Sequence, residues 1–595
     1  MIFMSGEISA KVSEFIRNNK SKLSSPESSN SFLKEICGIN NFFNESSKYE
    51  DFLNVISEKN EFVKEPIRRD YGDFQTNYNL VSTSIDYILS LNKNINFDFV
   101  LEPTCGNGNF IISALKRIPS LKKIVGIEIY EPYIWETKFK ILEYFIEHPR
   151  SKKPEIEIIK ANVFNFNFKE LSEETYGMRT LIIGNPPWVT NSELSSIESE
   201  NIPDKSNYKN YKGLDAITGK GNFDIGEFIS ILILKNFCNH SGYFGFLIKN
   251  SVAKNLLFEQ MTNKFRIGEI KKLNFDAKKE FNASVDACLF VSEMNHSPEM
   301  FCVEEDLYSH TTIKKFGWVN NRFVSSIDDY NNGVGNIEGS SQFIWRQGIK
   351  HDCSKIMELV KNNGKFVNGY NQEVNIENDL VFGLIKSSEL KGGIISSGRK
   401  SVIVTQKKIG ECTDYIKYDF PLTYNYLLKN KNYFAKRKSK IYDGKPEFSI
   451  FGIGDYSFAP YKIAISGMYK TTIFTLILPD KDGKPVMLDD TCYFIGFNDF
   501  DYAKIAYYLL NLEITQKFLR TIIFTDSKRA ITKEVLMRID FYKLYKSVDF
   551  NSIINEIDIP FKKWVEFGNL LEEKMKKPQG LLFGISENKL KRTKY

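Results

Sequence analysis

Histidine is scarce in this chain, with five residues in 595. Its eight cysteines stand apart at positions 37, 105, 238, 288, 302, 353, 412 and 492, with no CxxC pair among them. That dispersal argues against zinc ribbons and against a disulfide framework, so the expectation is a reduced, cytoplasmic protein without a structural metal. No uncharged apolar run is long enough to cross a bilayer, and no membrane association is expected. The opening stretch, MIFMSGEISAKVSEF, has no cationic region followed by an apolar one, so a secretory signal is not expected. There is no internal repeat and no low-complexity tract.

What remains is ordinary globular composition, 42% hydrophobic and 26% charged. The length corresponds to about two to four domains. The formal net charge is only +6, but it is unevenly spread. Between Lys391 and Glu447 there are thirteen Lys/Arg against five Asp/Glu, a local +8 that leaves −2 for the rest. Read alone, such a segment is either a solvated face or a surface for a polyanion.

The pattern along the chain changes twice. Residues 1–65 mix charged and apolar groups at irregular helical spacing, around the Ser/Asn-rich SSPESSNS, and read as a helical N-terminal segment. From 66 to 298, short apolar runs alternate with amphipathic stretches: FDFVLEP, KIVGIEIY, EIEIIKANVF, LIIGNPP, GYFGFLIKN and SVDACLFVSE. Strands of this kind separated by helices predict an α/β, doubly wound sheet. From 299 to 595 the runs become irregular and rich in Gly, Tyr and Lys. They predict a second, mixed α/β domain with helices near 505–520 and 550–577.

FDFVLEPTCGNGNFIISALKRI (97–118) reads as a strand, a glycine turn and an amphipathic helix. Gly106 and Gly108 let the backbone approach a ligand, and the helix amides from Asn109 onward face it. Glu128, ending the next strand, suits both hydroxyls of a ribose or is simply a strand-end charge. The turn lacks the third glycine of a dinucleotide loop, and acidic Glu102 beside it would repel a pyrophosphate. A carboxylate there suits an ammonium or a sulfonium, which selects S-adenosylmethionine over NAD. Asn162 closes a third strand, where its amide either pairs with the cofactor adenine or forms a turn. LIIGNPPWVT (181–190) carries a strand to Gly184. Two prolines then end regular structure and leave an amide, rigid carbonyls and an indole at the strand's end.

Taken in order, EPTCGNGNF, GIEIYEPY, IKANVFNF, GNPPWVT, GNFDIGEFI and KKEFNASVDACLF resemble the motifs of adenine-N6 DNA methyltransferases. DYGDFQTNYNLVSTSIDYIL (70–89) resembles the segment that this family packs beside the methionine end of the cofactor, and its place upstream matches the gamma arrangement. FIWRQGIKHDCSKIMEL and RKSVIVTQKKIGE resemble target-recognition domains of stand-alone modification methylases of type II restriction–modification systems. The resemblance spans most of residues 65–545. It departs from the family pattern at Asn162, commonly an aspartate, and at Trp188, commonly tyrosine or phenylalanine.

The resemblance implies a Rossmann-like methyltransferase sheet followed by a target-recognition domain, acting on double-stranded DNA. Cofactor contacts are implied at Thr76, Glu102, Thr104, Cys105, Gly106, Gly108, Glu128, Ile129, Asn162 and Val163. Asn185, Pro186, Pro187 and Trp188 become the catalytic set, with Trp188 and Phe281 stacking on a target adenine flipped out of the duplex. Lys407, Lys408, Arg437 and Lys438, with Lys528 and Arg529, become candidates for phosphate contacts. The polar stretch 191–222 is long enough to close over a substrate. A separately encoded restriction endonuclease is the partner such an enzyme serves. Competing expectations are an RNA or protein-glutamine methyltransferase with the same NPPW element, a fused nuclease, and a non-catalytic DNA-binding module on the same fold.

Overall fold

The protein is described from a computed structural model that places residues 9–43, 49–50, 75–92, 95–190, 224–469, 471–525 and 529–576. Two compact units divide the chain, 1–323 and 324–595. In the first unit β1 (Phe99–Glu102), β2 (Lys123–Glu128), β3 (Glu155–Lys160), β4 (Thr180–Gly184) and β5 (Gly242–Lys249) are joined in parallel, in the order β5-β4-β1-β2-β3. Every residue of β1 and β4 is buried, which is why both strands read as continuous apolar runs rather than alternating ones.

Beyond β5 the sheet becomes mixed. β6 (Ile267–Phe275) and β7 (Ala287–Met294) pair with each other, and β7 also pairs with β5. β8 (Phe301–Asp306), β9 (Thr312–Val319) and β10 (Arg322–Val324) extend the same ten-stranded sheet. The pairs β5–β7, β6–β7 and β8–β9 are antiparallel, whereas β6 and β8 run parallel. The sheet therefore continues past the expected boundary at 298/299, and the structural division falls after Phe323. The change in sequence pattern near 300 marks the sheet's mixed outer edge, which is less buried than its centre.

Helices of this unit form two packed groups. α1 (Ala10–Asn18), α2 (Pro26–Cys37), α3 (Tyr78–Leu91), α4 (Asn109–Arg117) and α5 (Glu131–Glu147) make one. α6 (Phe168–Glu174), α7 (Ile225–Phe237) and α8 (Asn250–Asn263) make the other. This is the doubly wound arrangement. The Ser-rich stretch near 25 starts α2, because Ser25 and Ser28 form a capping box and Pro26 sits at the first helical position. The N-terminal segment is no separate body. Cys37, Ile39, Phe42 and Phe43 lie in the unit's main core, and Ile39 bridges Ile156 at the edge of β3. Buried Lys138 of α5 donates to the Phe42 carbonyl at 2.8 Å.

In the second unit a five-stranded sheet runs Arg346–Gln347, Cys492–Phe497, Tyr461–Ser466, Thr475–Ile477 and Ile394–Ile395. A six-stranded sheet is built mainly on Glu358–Asn362, Lys400–Ile403 and Val381–Ile385. The helical regions expected near 505–520 and 550–577 are each a pair: Phe500–Asn511 with Glu513–Ile522, and Phe550–Ile557 with Phe561–Lys576. Among the described residues no helix is long and apolar enough to cross a membrane.

Candidate active site

The strand order reverses between β1 and β4, and the carboxyl ends of β1 to β4 open there onto one pocket, the position where open α/β sheets bind ligands. Thr76, Glu102, Thr104, Cys105, Gly106, Glu128, Ile129, Asn162, Val163, Asn185, Pro186, Pro187 and Trp188 all line it. Gly108 lies behind the wall as the residue that starts α4, at φ +77°. A side chain there would run into Thr137, so Gly108 needs glycine for space and conformation, while Gly106 (φ +50°) needs it for backbone conformation, the flexible end of Gln75 being its near neighbour.

Glu128 organises the turn. One carboxylate oxygen accepts from the Gly106 N–H at 2.8 Å, and the other accepts from the N–H groups of Ile129 and Tyr130, both at 2.8 Å. The carboxylate lines the pocket at the end of β2, where ribose hydroxyls would meet it. From α5, the Thr137 hydroxyl donates to the Gly106 carbonyl at 3.0 Å and the Lys140 ammonium to the Asn107 carbonyl at 2.9 Å. Lys140 is in turn paired with Glu136 at 2.8 Å. Thr137 and Lys140 were not expected from the sequence, because they lie mid-helix with no glycine or strand end to mark them.

Glu102 is 2% exposed, and its Oε2 has no hydrogen-bond partner. Burial holds its carboxyl well above the usual carboxylate range, the charge of Glu128 adding to the effect, while the Ile111 N–H and Lys140 oppose it. The Thr104 hydroxyl beside it is likewise buried without a partner. Orphaned oxygens next to a glycine cradle suit a ligand that brings cationic and hydrogen-bonding groups, which S-adenosylmethionine does. Burial, together with Glu102 and Glu128, also pushes the Cys105 thiol up, so it lines the pocket as an unreactive neutral group. The Asn162 oxygen accepts from the Phe164 N–H at 3.0 Å, the turn geometry that was the alternative reading of this residue. Its second lone pair is what a cofactor amine could still use.

At the end of β4, the Asn185 Nδ2 donates to the Thr76 hydroxyl at 3.1 Å. The Trp188 indole is 7% exposed, and its N–H donates to the Leu247 carbonyl at 3.1 Å. Phe281 closes α9 (Ala277–Phe281) and meets Trp188 edge-on, with ring centroids 4.9 Å apart and planes at 71°. A base sandwiched between two rings needs their planes roughly 7 Å apart, two van der Waals contacts. The pair therefore forms an aromatic wall here, not the open slot that two stacking faces imply, and Phe281 has to swing away to become the second face.

The expected DNA contacts fare differently from one another. Lys407 and Lys408 are exposed on a turn whose backbone N–H groups Glu411 caps, and Lys438 is also exposed. Arg437 is turned inward. Its guanidinium donates to the Ser449 carbonyl at 2.7 Å and lies 3.6 Å from the centre of the Tyr442 ring. Those bonds make it a strut within its own unit, unlike the exposed Lys407, Lys408 and Lys438. Arg529 is exposed and lies 3.6 Å from Asp490. Lys528 and the stretch 191–222 fall outside the described residues. No cluster of metal-ligating side chains exists among the described residues.

A doubly wound sheet with this cradle at its switch point and NPPW on the adjoining strand defines an S-adenosylmethionine-dependent methyltransferase. Comparison of whole sequences narrows this. The chain is 38% identical over 485 residues to the type II methyltransferase M.NspV of Nostoc sp. (strain ATCC 29411 / PCC 7524), covering 81% of this chain and 99% of that one. It is 25% identical over 224 residues to the type II methyltransferase M.VspI of Vibrio sp. (strain 343), covering 38% and 47% respectively. The chain belongs to the type II methyltransferases, the modification enzymes of restriction–modification systems. No family model matches it. Among solved structures, a class I methyltransferase from Listeria monocytogenes overlaps 51% of this chain at 13% identity with a TM-score of 0.28, too partial an overlap to add to that assignment.

Proposed function

We propose that this enzyme methylates the exocyclic N6 of an adenine flipped out of double-stranded DNA at a specific site. The observation that carries the chemistry is the Asn185 amide, held by Thr76 at the rim of the cofactor pocket beside two prolines and an indole. An exocyclic amine on an aromatic base is a poor nucleophile, because its lone pair is delocalised into the ring. With Nδ2 engaged by Thr76, the Asn185 oxygen is the end of the amide left to accept one amine N–H, and the Pro186 carbonyl accepts the other. As positive charge develops on nitrogen both bonds strengthen, and the nitrogen is drawn toward tetrahedral geometry with its lone pair freed. Pro186 and Pro187 fix the backbone in advance, so little reorganisation is needed at the moment of reaction.

When bound, S-adenosylmethionine would supply an electrophilic methyl on its sulfonium; the amine nitrogen would take that methyl, the S–C electron pair would stay on sulfur, and one amine proton would pass to solvent. Glu102, Thr104, Gly106, Glu128 and Asn162 are the groups that would hold it. Trp188 offers a large π-face to the base, and its tether to Leu247 fixes the plane of that face.

The geometry suits any exocyclic base amine. Adenine is selected by the order of the motifs, which resembles the gamma class of adenine-N6 enzymes. We assign catalysis to the first unit, which holds every pocket residue, and choice of site to the second, which carries the basic excess. On this reading the enzyme is cytoplasmic and protects the cell's DNA from a cognate endonuclease. Mass spectrometry of nucleosides from DNA treated with the enzyme tests the assignment. N6-methyladenine is expected; N4-methylcytosine as the sole product would overturn it.

A further inference from the structure

Three consecutive residues ahead of α3 each bond to a different part of the site. The Gln75 side-chain oxygen accepts from the Asn107 N–H of the cofactor turn at 3.2 Å. The Thr76 carbonyl accepts from the side chain of Asn109, the first residue of α4, at 2.8 Å. The Thr76 hydroxyl accepts from Asn185 Nδ2 at 3.1 Å. Asn77 caps α3 through its oxygen, which accepts from the Leu80 N–H at 2.9 Å, and its amide nitrogen donates to the carboxylate of Glu280. Glu280 precedes Phe281 in α9, and its other oxygen accepts from the Tyr308 hydroxyl at 3.0 Å.

We infer that Gln75, Thr76 and Asn77 form a positioning hub that sets the catalytic amide and the aromatic wall of the base pocket against the cofactor turn, with Glu280 as its relay to Phe281. The inference rests on the methylation reading and adds to it how the base side of the site is held. An asparagine amide can sit either way round, and the wrong way presents an N–H donor to the amine, which repels it. The Thr76 hydroxyl anchors the amide at Nδ2, in the arrangement that leaves Oδ1 toward the base. Glu280 is bonded from two directions, by Asn77 and by Tyr308. The five-residue α9 is too short to hold its own position, and these bonds fix where Phe281 stands against Trp188. Because Gln75 and Thr76 bond Asn107 and Asn109 and adjoin Asn77, movement of the cofactor turn is transmitted to both base-side groups.

Two sets of variants of the full chain test this. Thr76→Val keeps shape and removes the acceptor; Thr76→Ser keeps the acceptor. Thr76→Val is expected to slow single-turnover methylation about tenfold, the loss of one orienting hydrogen bond. Calorimetric affinity for S-adenosylhomocysteine should fall by less than the rate does, and Thr76→Ser should restore the rate. Asn77→Ala and Glu280→Ala are then read with 2-aminopurine at the methylated position. In the unmodified enzyme, S-adenosylhomocysteine should raise the fluorescence that reports the flipped base, and in both variants that response should be lost. An unchanged rate in Thr76→Val, a failure of serine to rescue, or an intact cofactor response in both other variants would overturn the hub. The product of the unmodified enzyme is determined separately. A methylated cytosine would retire the adenine reading while leaving the Thr76 rate test in force, whereas N6-methyladenine with an unmoved Thr76→Val retires the hub alone.

Discussion

Glu102 offers the sharpest quantitative test of how the pocket binds its cofactor. In the ligand-free enzyme burial keeps the carboxyl protonated above the usual carboxylate range, and one oxygen has no partner. An arriving ammonium or sulfonium favours the ionised form, so binding should expel a proton at pH values between the bound-state and free-state pKa. Affinity should therefore rise with pH across that window, by up to tenfold per unit, and level off above the free-state value. Glu102→Gln keeps the shape and removes the charge. A hydrogen bond to a charged group is worth about 1.5–3 kcal/mol, so the variant should bind roughly 10- to 150-fold more weakly on the plateau and nearly as well as the unmodified enzyme at the acid end. The sign for stability is opposite. A carboxyl whose folded pKa is raised costs stability once pH exceeds its unfolded value, so the ligand-free variant should melt higher than the unmodified enzyme at pH 8. Calorimetry in two buffers of different ionisation enthalpy reads the proton directly. Equal affinity in variant and parent, with no proton released, would refute the assignment of Glu102 to a cation.

Asn185→Ala should lose on the order of 100- to 1000-fold in single-turnover methylation, with affinity for DNA and cofactor largely kept; a weakened cofactor affinity of the same size would make it a binding residue. Neutralising Lys407 or Lys408 should lower affinity equally for specific and random duplexes and reduce the salt slope by roughly one unit each. Arg437→Ala should instead lower the melting temperature of the second unit, since its guanidinium serves carbonyls within that unit. A truncation after Phe323 should keep cofactor affinity and lose site choice, whereas one after residue 298 should aggregate, because it strips β8 from its pairing with β6. Circular dichroism and cofactor titration separate the two truncations.

The parallel half of the sheet was legible because a strand buried on both faces leaves no polar alternation to confuse the reading. FDFVLEP, KIVGIEIY and LIIGNPP became β1, β2 and β4 with their functional residues at the expected ends. The mixed outer edge was not. In β9 the burial alternates irregularly and Gly317 and the lysines dilute the apolar signal, so these strands read as the start of another domain. The inward bonds of Arg437 were hidden for a related reason: a basic residue in a basic segment carries no sign of whether its fork faces water or a row of carbonyls.

The residues the sequence did not mark share a physical character. Thr137, Lys140, Asn77 and Glu280 touch other parts of the protein, and their role depends on a partner 28 to 203 residues away. Strand ends, paired prolines and positive-φ glycines advertise themselves locally because the backbone there is constrained by itself. A side chain that orients another side chain has no such local requirement; many residue types would fold as well in its place. The NPPW element is thus visible in one glance at the chain, while the hydroxyl that anchors its amide is visible only once residues 76 and 185 lie 3.1 Å apart. The chemistry of methyl transfer depends on both, since an acceptor that is present but turned the wrong way lowers the barrier no more than one that is missing.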